Sequence, residues 1–267
     1  MMLLTEANYF SQEAELEYCS SSQYRSFVGT LGNLGCEAKT VAKVSGKWTE
    51  EPSNAMLIGS YVDAHFSGTL NIFKAQHPEI FTKKTGELLA PFKHADVMIA
   101  RCERDKLFMK TLSGGSQEIF TVEMFGLKWK CKVDSYHEHV AIVDLKTTAS
   151  IMDTHYTKEF GRINFIRLWG YDIQLAIYQK IVELVTGEKL PVFIAAVSKE
   201  PEPDIEVIGF QQELLDEVLL DVKNCAARIV ELKNGAVEPR RCGICDYCKN
   251  TKVLTKIVDS ADIGEKK

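Results

Sequence analysis

The chain has 267 residues, 45% hydrophobic and 26% charged, a globular balance that excludes a disordered or fibrous protein. No uncharged apolar run approaches the ~20 residues of a membrane-crossing helix, and the opening MMLLTEANYF is acidic, without the basic region and cleavage site of a signal peptide, so the expected compartment is the cytoplasm, with no membrane partner. A net charge of −5 argues against coating nucleic acid through bulk charge, but it leaves room for an enzyme with a local basic channel.

Residues 8–46 read as short helices broken by Ser and Gly, and the stretch from Pro52 to Asn54 separates them from a helix in AMLIGSYVDAHFSG. Residues 70–90, with breakers at Pro78 and Gly86, read as a surface excursion, and 91–112 again as helix. A turn at Gly114 and Gly115 opens a β region. There LKWKCKVD alternates strictly, with Leu127, Trp129, Cys131 and Val133 on one face and Lys128, Lys130, Lys132 and Asp134 on the other. A polar turn, SYHEH, leads into a second strand, VAIVDLKTT, whose apolar run suits the interior of a sheet, and the two strands are expected to pair antiparallel.

Residues 168–186 form a helix stopped by Gly187. Two further strands, PVFIAAVSK and DIEVIGF, flank a Pro-rich turn at 201–203, and an amphipathic helix follows with Leu214, Leu215, Val218, Leu219, Val222, Ile229 and Val230 at helical spacing. The polar tail after Cys248 is expected to fray.

Residues i and i+2 of a strand share a face, so Asp144 and Lys146 point the same way, about 6–7 Å apart along the strand. Asp134 projects from the end of the preceding strand and can join them. Two carboxylates beside a lysine make a hard-oxygen site suited to Mg²⁺, or Mn²⁺, and to phosphate oxygens. An Asp-x-Lys alone is commonplace on solvated strands, where its ion pair is weak. The surrounding order adds the specificity.

KCKVD (130–134), IVDLKTT (142–148) and YDIQLAIYQ (171–179) together resemble the PD-(D/E)XK nucleases, in the RecB-like and RecE-like exonuclease branch, close to the exodeoxyribonuclease VIII-like group of phages. The resemblance implies an α/β (α+β) fold with a central mixed sheet flanked by helices. It covers roughly Ser20 to Cys248 of a single domain, 1–267, with an N-terminal helical segment (8–46) and a C-terminal cysteine segment (238–250). It implies that Asp134 and Asp144 bind metal, that Lys146 assists catalysis, and that Gln174 and Tyr178 form the Gln-x-x-x-Tyr signature of the following helix. Where the family places Gly-x-x-x-His, this chain has Gly59 and then Asp63. Asp63 is taken as the further ligand over His65. The implied activity is exonucleolytic resection of DNA ends in phage or prophage recombination. A single-strand annealing protein is the implied partner, and a homo-oligomer is compatible with the branch.

Eight cysteines in a cytosolic chain are not expected to form disulfides. Cys102, Cys131 and Cys225 fall on apolar faces and read as small core residues. Cys242, Cys245 and Cys248 have the spacing of ferredoxin-like cluster ligands and call for a metal. RecB-like relatives join one N-terminal cysteine to three C-terminal ones around a 4Fe–4S cluster. By that resemblance Cys36 is the fourth ligand, Cys19 its competitor, with an iron–sulfur cluster the first reading and structural Zn²⁺ the second.

Overall fold

The computed structural model describes residues 2–262. Three short helices come first: α1 (Gln12–Glu17), α2 (Ser21–Val28) and α3 (Glu37–Val44). Ser11, Ser20 and Cys36 cap them by accepting the amide protons of Ala14, Gln23 and Lys39. Next come α4 (Asn54–Phe66), α5 (Leu70–Gln76), α6 (Ala90–Glu103) and α7 (Lys106–Thr111). The strands β1 (Gly115–Met124), β2 (Leu127–His137) and β3 (Ala141–Thr148) follow, then a hairpin of β4 (Thr154–Thr157) and β5 (Gly161–Asn164). The chain continues as α8 (Phe165–Trp169), α9 (Tyr171–Thr186), β6 (Val192–Ser198), β7 (Ile205–Gly209), α10 (Gln212–Lys233) and α11 (Asp246–Asn250).

Five strands form one sheet in the order β1-β2-β3-β6-β7. Only β3 and β6 are parallel, and a parallel pair needs a crossover, here through α9. The sheet is covered on both faces, which explains why β3 and β6 carry apolar runs. Ile142, Ile194 and Ala196 meet Trp129, Cys131, Val133 and the helices α9 and α10 on one side. Val143, Leu145, Ala195 and Val197 meet α4 and α6 on the other. This is the mixed α/β architecture the sequence led us to expect, with β2 and β3 antiparallel.

Several details differ from the sequence reading, among them Gly170, which breaks the helix expected over 168–186 into α8 and α9. Residues 70–90 lie at the surface as expected, but they are structured rather than a loop: α5 and a 3-10 turn at Pro78–Ile80 bury Phe73 and Ile80 among the side chains of α4 and α6. The strand β2 runs on through Ser135, Tyr136 and His137, so the turn to β3 is shorter than SYHEH. Lys130, on the nominally polar face of β2, is fully buried because the N-terminal segment lies over it. Its ammonium donates to the Tyr9 carbonyl (2.5 Å) and to Glu15 (2.7 Å). Finally, the β4–β5 hairpin has no counterpart in the sequence reading. Of the tail, residues 263–267 lie outside the described residues.

Candidate active site

The two central strands pair only over Ser135–His137 and Ala141–Val143. Beyond this they splay, and the backbone amide of Leu145, which a continued ladder would have used, instead donates to Asp134 Oδ2 at 2.8 Å. The splay therefore seats Asp134 beside the middle of β3. Asp144 sits there, 2% exposed, with Lys146 two residues on and ion-paired to its Oδ2.

Asp63 arrives from α4. Gly59, one turn earlier, faces β3: a Cβ there would come within 3.2 Å of Thr147 Oγ1, so glycine lets the helix approach the strand closely. The side chain of Gln117, from β1, lies between the two acids, its Nε2 donating to Asp63 Oδ1 (3.2 Å) and Asp134 Oδ1 (3.4 Å). His65 does not line this cavity, and its Nε2 lies 2.9 Å from Glu103 Oε1.

From α9, Gln174 Nε2 donates to Asp144 Oδ1 at 2.7 Å, and its Oε1 accepts from Arg25 Nη2 of α2 at 3.3 Å. Arg25 also donates to the Trp169 carbonyl at 2.6 Å. Gly170 makes this packing possible. It is left-handed (φ 67°), it separates α8 from α9, and a Cβ on it would lie 2.8 Å from Thr30 and 2.9 Å from Arg25. Tyr178, one turn beyond Gln174, lines the cavity with its ring packed into the main core, and among the described residues its hydroxyl makes no hydrogen bond. The ammonium of Lys146 lies 5.1 Å from the ring centre of Tyr171.

Burial, and then the charges of Asp144 and Asp63, push the Asp134 carboxyl well above the ordinary carboxylate range. Asp63 is raised too, by burial first, with Lys132 and Lys146 opposing. Burial by itself would lower Lys146, but Asp144 and Asp134 outweigh it and hold the ammonium above its usual value. Three gathered acids, a lysine kept charged, and a buried Gln117 Oε1 without a hydrogen-bond donor make a donor set for a hard divalent cation. The chemistry of the residues fits Mg²⁺ or Mn²⁺, with Asp63, Asp134 and Asp144 as the side chains that would hold it.

Two cavities, of about 670 and 660 Å³, meet at this point and share Ser60, Asp63, Asp134 and Lys146 as lining. Arg25, Lys132 and the serines 20–22 line the first, while His155, Trp169, Tyr171 and Lys199 line the second. Arg25 and Lys132 on one side and Lys199 on the other are the cations flanking the acids, with Glu6 and Glu15 also lining the first cavity.

A second cluster lies elsewhere. Cys36 at the start of α3 meets Cys242, Cys245 and Cys248, with all four sulfurs within 4.8 Å of one another. Cys19 takes no part; it is buried beside Trp129. The amides of Lys39, Cys245 and Cys248 point at the sulfurs of Cys36, Cys242 and Cys245. Burial would raise Cys242, but the amides of Cys245 and Ile244 bring it down to about 6, whereas burial and the neighbouring thiols take Cys245 up to about 12. The surroundings also tie the two ends of the chain together. Glu37 accepts from Arg228 (2.9 Å) and from the Arg240 amide (2.7 Å), and Trp48 packs edge-on against Tyr247.

Sequence reasoning missed Arg25, Gln117 and Tyr171. A hydrogen-bonding residue on a helix or strand carries no motif of its own, although Tyr171 lies inside the YDIQLAIYQ segment already singled out.

A mixed sheet splayed at its centre, with acids and a lysine on the opened strands, defines the class: a PD-(D/E)XK-type nuclease fold. Residues 20–251 match the family described as "PDDEXK-like domain of unknown function (DUF3799)", and the chain belongs to that family. A crystal structure from Eubacterium rectale, of a protein provisionally described as an exonuclease, is 52% identical over 99% of both chains, with a TM-score of 0.96. The crystal structure of SSO0001 is a remote match (11% identity, 83% of this chain and 96% of that one, TM-score 0.32). No curated protein matches the sequence significantly.

Proposed function

We propose that the chain is a Mg²⁺-dependent DNA exonuclease, built as one domain, that resects duplex ends in phage or prophage recombination. The observation that carries the reading is the junction of the two cavities at Asp63, Asp134 and Lys146. A polymer can pass the reacting phosphate in both directions, with Arg25 and Lys132 on one arm and Lys199 on the other. The relative from Eubacterium rectale and the resemblance of the motifs support exonuclease over other nuclease activities. A divalent ion at the acids would polarise the scissile phosphate and supply a nucleophilic water. Asp134 and Asp144 fix the position where it would sit. Lys146, ion-paired with Asp144, is placed to stabilise charge developing on the phosphate. A single-strand annealing protein as recipient of the product belongs to the same reading. The deciding experiment offers linear and covalently closed circular duplexes with Mg²⁺, each end labelled separately. Release of nucleotides from the linear form alone is expected; equal cutting of the closed circle would replace the exonuclease by an endonuclease.

Gln174 is placed to hold Asp144 in a fixed orientation. Gln174→Ala should slow cleavage by about 10- to 100-fold, the usual scale for a residue that orients a metal ligand, while Tyr178→Phe should leave both the rate and the melting temperature near wild type. Cleavage rates and thermal melts on the two variants check this; a Gln174→Ala enzyme of full activity would remove the assigned role.

For the cysteines we infer one tetrahedral ion, Zn²⁺, over the 4Fe–4S cluster that the family resemblance favours. Thiolates at ~2.3 Å from one ion lie about 3.8 Å apart, and Cys248 Sγ lies 3.6 Å from Cys36 Sγ and 3.9 Å from Cys242 Sγ. A cubane, which gives each thiolate its own iron, holds the sulfurs farther apart.

A further inference from the structure

We propose that Gln117 belongs to the metal site as a reversible placeholder: its carboxamide bridges Asp63 and Asp134 when no ion is present and turns its oxygen toward the ion when one binds. The inference rests on the metal-dependent reading of the three acids. Three separate observations converge on this residue. The first is its backbone. Gln117 has φ 57°, in the left-handed region that residues with a Cβ rarely occupy. Phe125 and His139 share that conformation, but they lie in the turns joining β1 to β2 and β2 to β3, where it is ordinary. Gln117 lies inside a strand, and the ladder passes from the Ser116–Ser135 pair to the Glu118–Val133 pair without it. Such a conformation persists only where the surroundings impose it, and it clusters at functional sites.

The second observation is the side chain's position. It is 8% exposed, it lines the cavity of the acids, and its Nε2 reaches one oxygen of each of two carboxylates from different elements. Among the described residues it is the one side-chain hydrogen-bond donor to Asp63. An amide placed so lessens the repulsion between two acids but carries no net charge, so burial still raises both carboxyls.

The third is the far end of the same group. Gln117 Oε1 is buried with no hydrogen-bond donor, a costly arrangement for a group that serves packing alone. The terminal torsion of glutamine is broad and roughly two-fold, so a half-turn exchanges its oxygen and nitrogen without moving the backbone. That exchange withdraws the donor from between the carboxylates and presents a neutral oxygen, a ligand type that Mg²⁺ and Mn²⁺ accept.

The test is Mn²⁺ binding by calorimetry together with thermal melts of the ion-free and Mn²⁺-loaded protein. Mn²⁺ prefers oxygen donors over the four thiols. Gln117→Met keeps the length of the side chain and removes both polar ends; it should weaken Mn²⁺ binding about tenfold or more. Gln117→Glu should lower the melting temperature of the ion-free protein and enlarge the rise that Mn²⁺ produces. Asp134→Asn, as a control, should lose Mn²⁺ binding. Binding within twofold of wild type in Gln117→Met, with wild-type behaviour of Gln117→Glu, overturns the inference while leaving the nuclease reading intact. A wild-type protein that binds no Mn²⁺ overturns both. If Gln117→Met does not fold, the melts of Gln117→Glu decide alone: an unchanged Mn²⁺-induced rise overturns the proposal.

Discussion

Asp144→Asn is expected to slow DNA cleavage by at least about 10³-fold, roughly 4 kcal/mol of transition-state stabilisation, while the protein stays folded. The substitution keeps an oxygen that can accept from Gln174 Nε2, so the link between β3 and α9 survives. What it removes is the charge nearest Lys146 and one of the three acids available to an ion. Lys146→Met should have an effect of similar size for a different reason. It retains an unbranched side chain of similar length and deletes the ammonium that Asp144 and Asp134 keep protonated and that lies over the Tyr171 ring. Single-turnover rates at saturating Mg²⁺, read beside thermal melts, separate catalysis from folding. Either variant cleaving within about tenfold of wild type would leave the assigned site without its two principal members.

The second large effect is expected at the other end of the molecule. Cys248→Ser should release the bound ion and lower the melting temperature by about 10 °C, corresponding to a few kcal/mol for a domain of this size. Cys36 and Cys248 are the most buried of the four ligands, and they join the start of α3 to the segment after α10. Without the ion, the thiols form only a small satellite of the core, and the ties that remain include Glu37 with Arg228 and Arg240, the Ala38 amide donating to the Arg240 carbonyl, and Trp48 with Tyr247. The segment after α10 should therefore become sensitive to protease before the central sheet does. Elemental analysis is expected to find zinc in the wild type; iron with sulfide and a visible absorbance would restore the cluster reading. Neither metal, with an unchanged melting temperature in Cys248→Ser, would remove the structural role.

Much of this architecture was legible because strands and helices write their periodicity into the chain. The alternation of LKWKCKVD identified the buried face of β2 correctly, and the i, i+4 spacing of Gln174 and Tyr178 put both on one face of α9. Gly187 ends that helix in the left-handed conformation expected of it (φ 82°). Periodicity, however, assigns a side chain to a face without revealing what covers the face. The alternation puts Lys130 on the polar face, yet residues 2–17 fold back over it, and the cost of burying the ammonium is offset by Tyr9 and Glu15. The same limit applied to residues 70–90, where Pro78 and Gly86 suggest a loop but Phe73 and Ile80 anchor it. In the site, Asp134, Asp144 and Lys146 stood out because charge within apolar strands is conspicuous. Gln117 did not, since a positive φ inside a strand is announced in sequence only when the residue is glycine. Arg25 reaches Gln174 across 149 positions of chain, a contact that only the tertiary fold creates.

The central claim, a phosphodiesterase whose ion is held by Asp63, Asp134 and Asp144, is tested most directly by following nucleotide release from a linear duplex as Mg²⁺ is returned to protein freed of divalent ions. Wild type is expected to be inactive without the ion and to regain activity on titration, whereas Asp134→Asn, folded to the same melting temperature or higher, should stay inactive across the titration. Undiminished cleavage in the absence of divalent ions, or by Asp134→Asn at ordinary Mg²⁺, would contradict it.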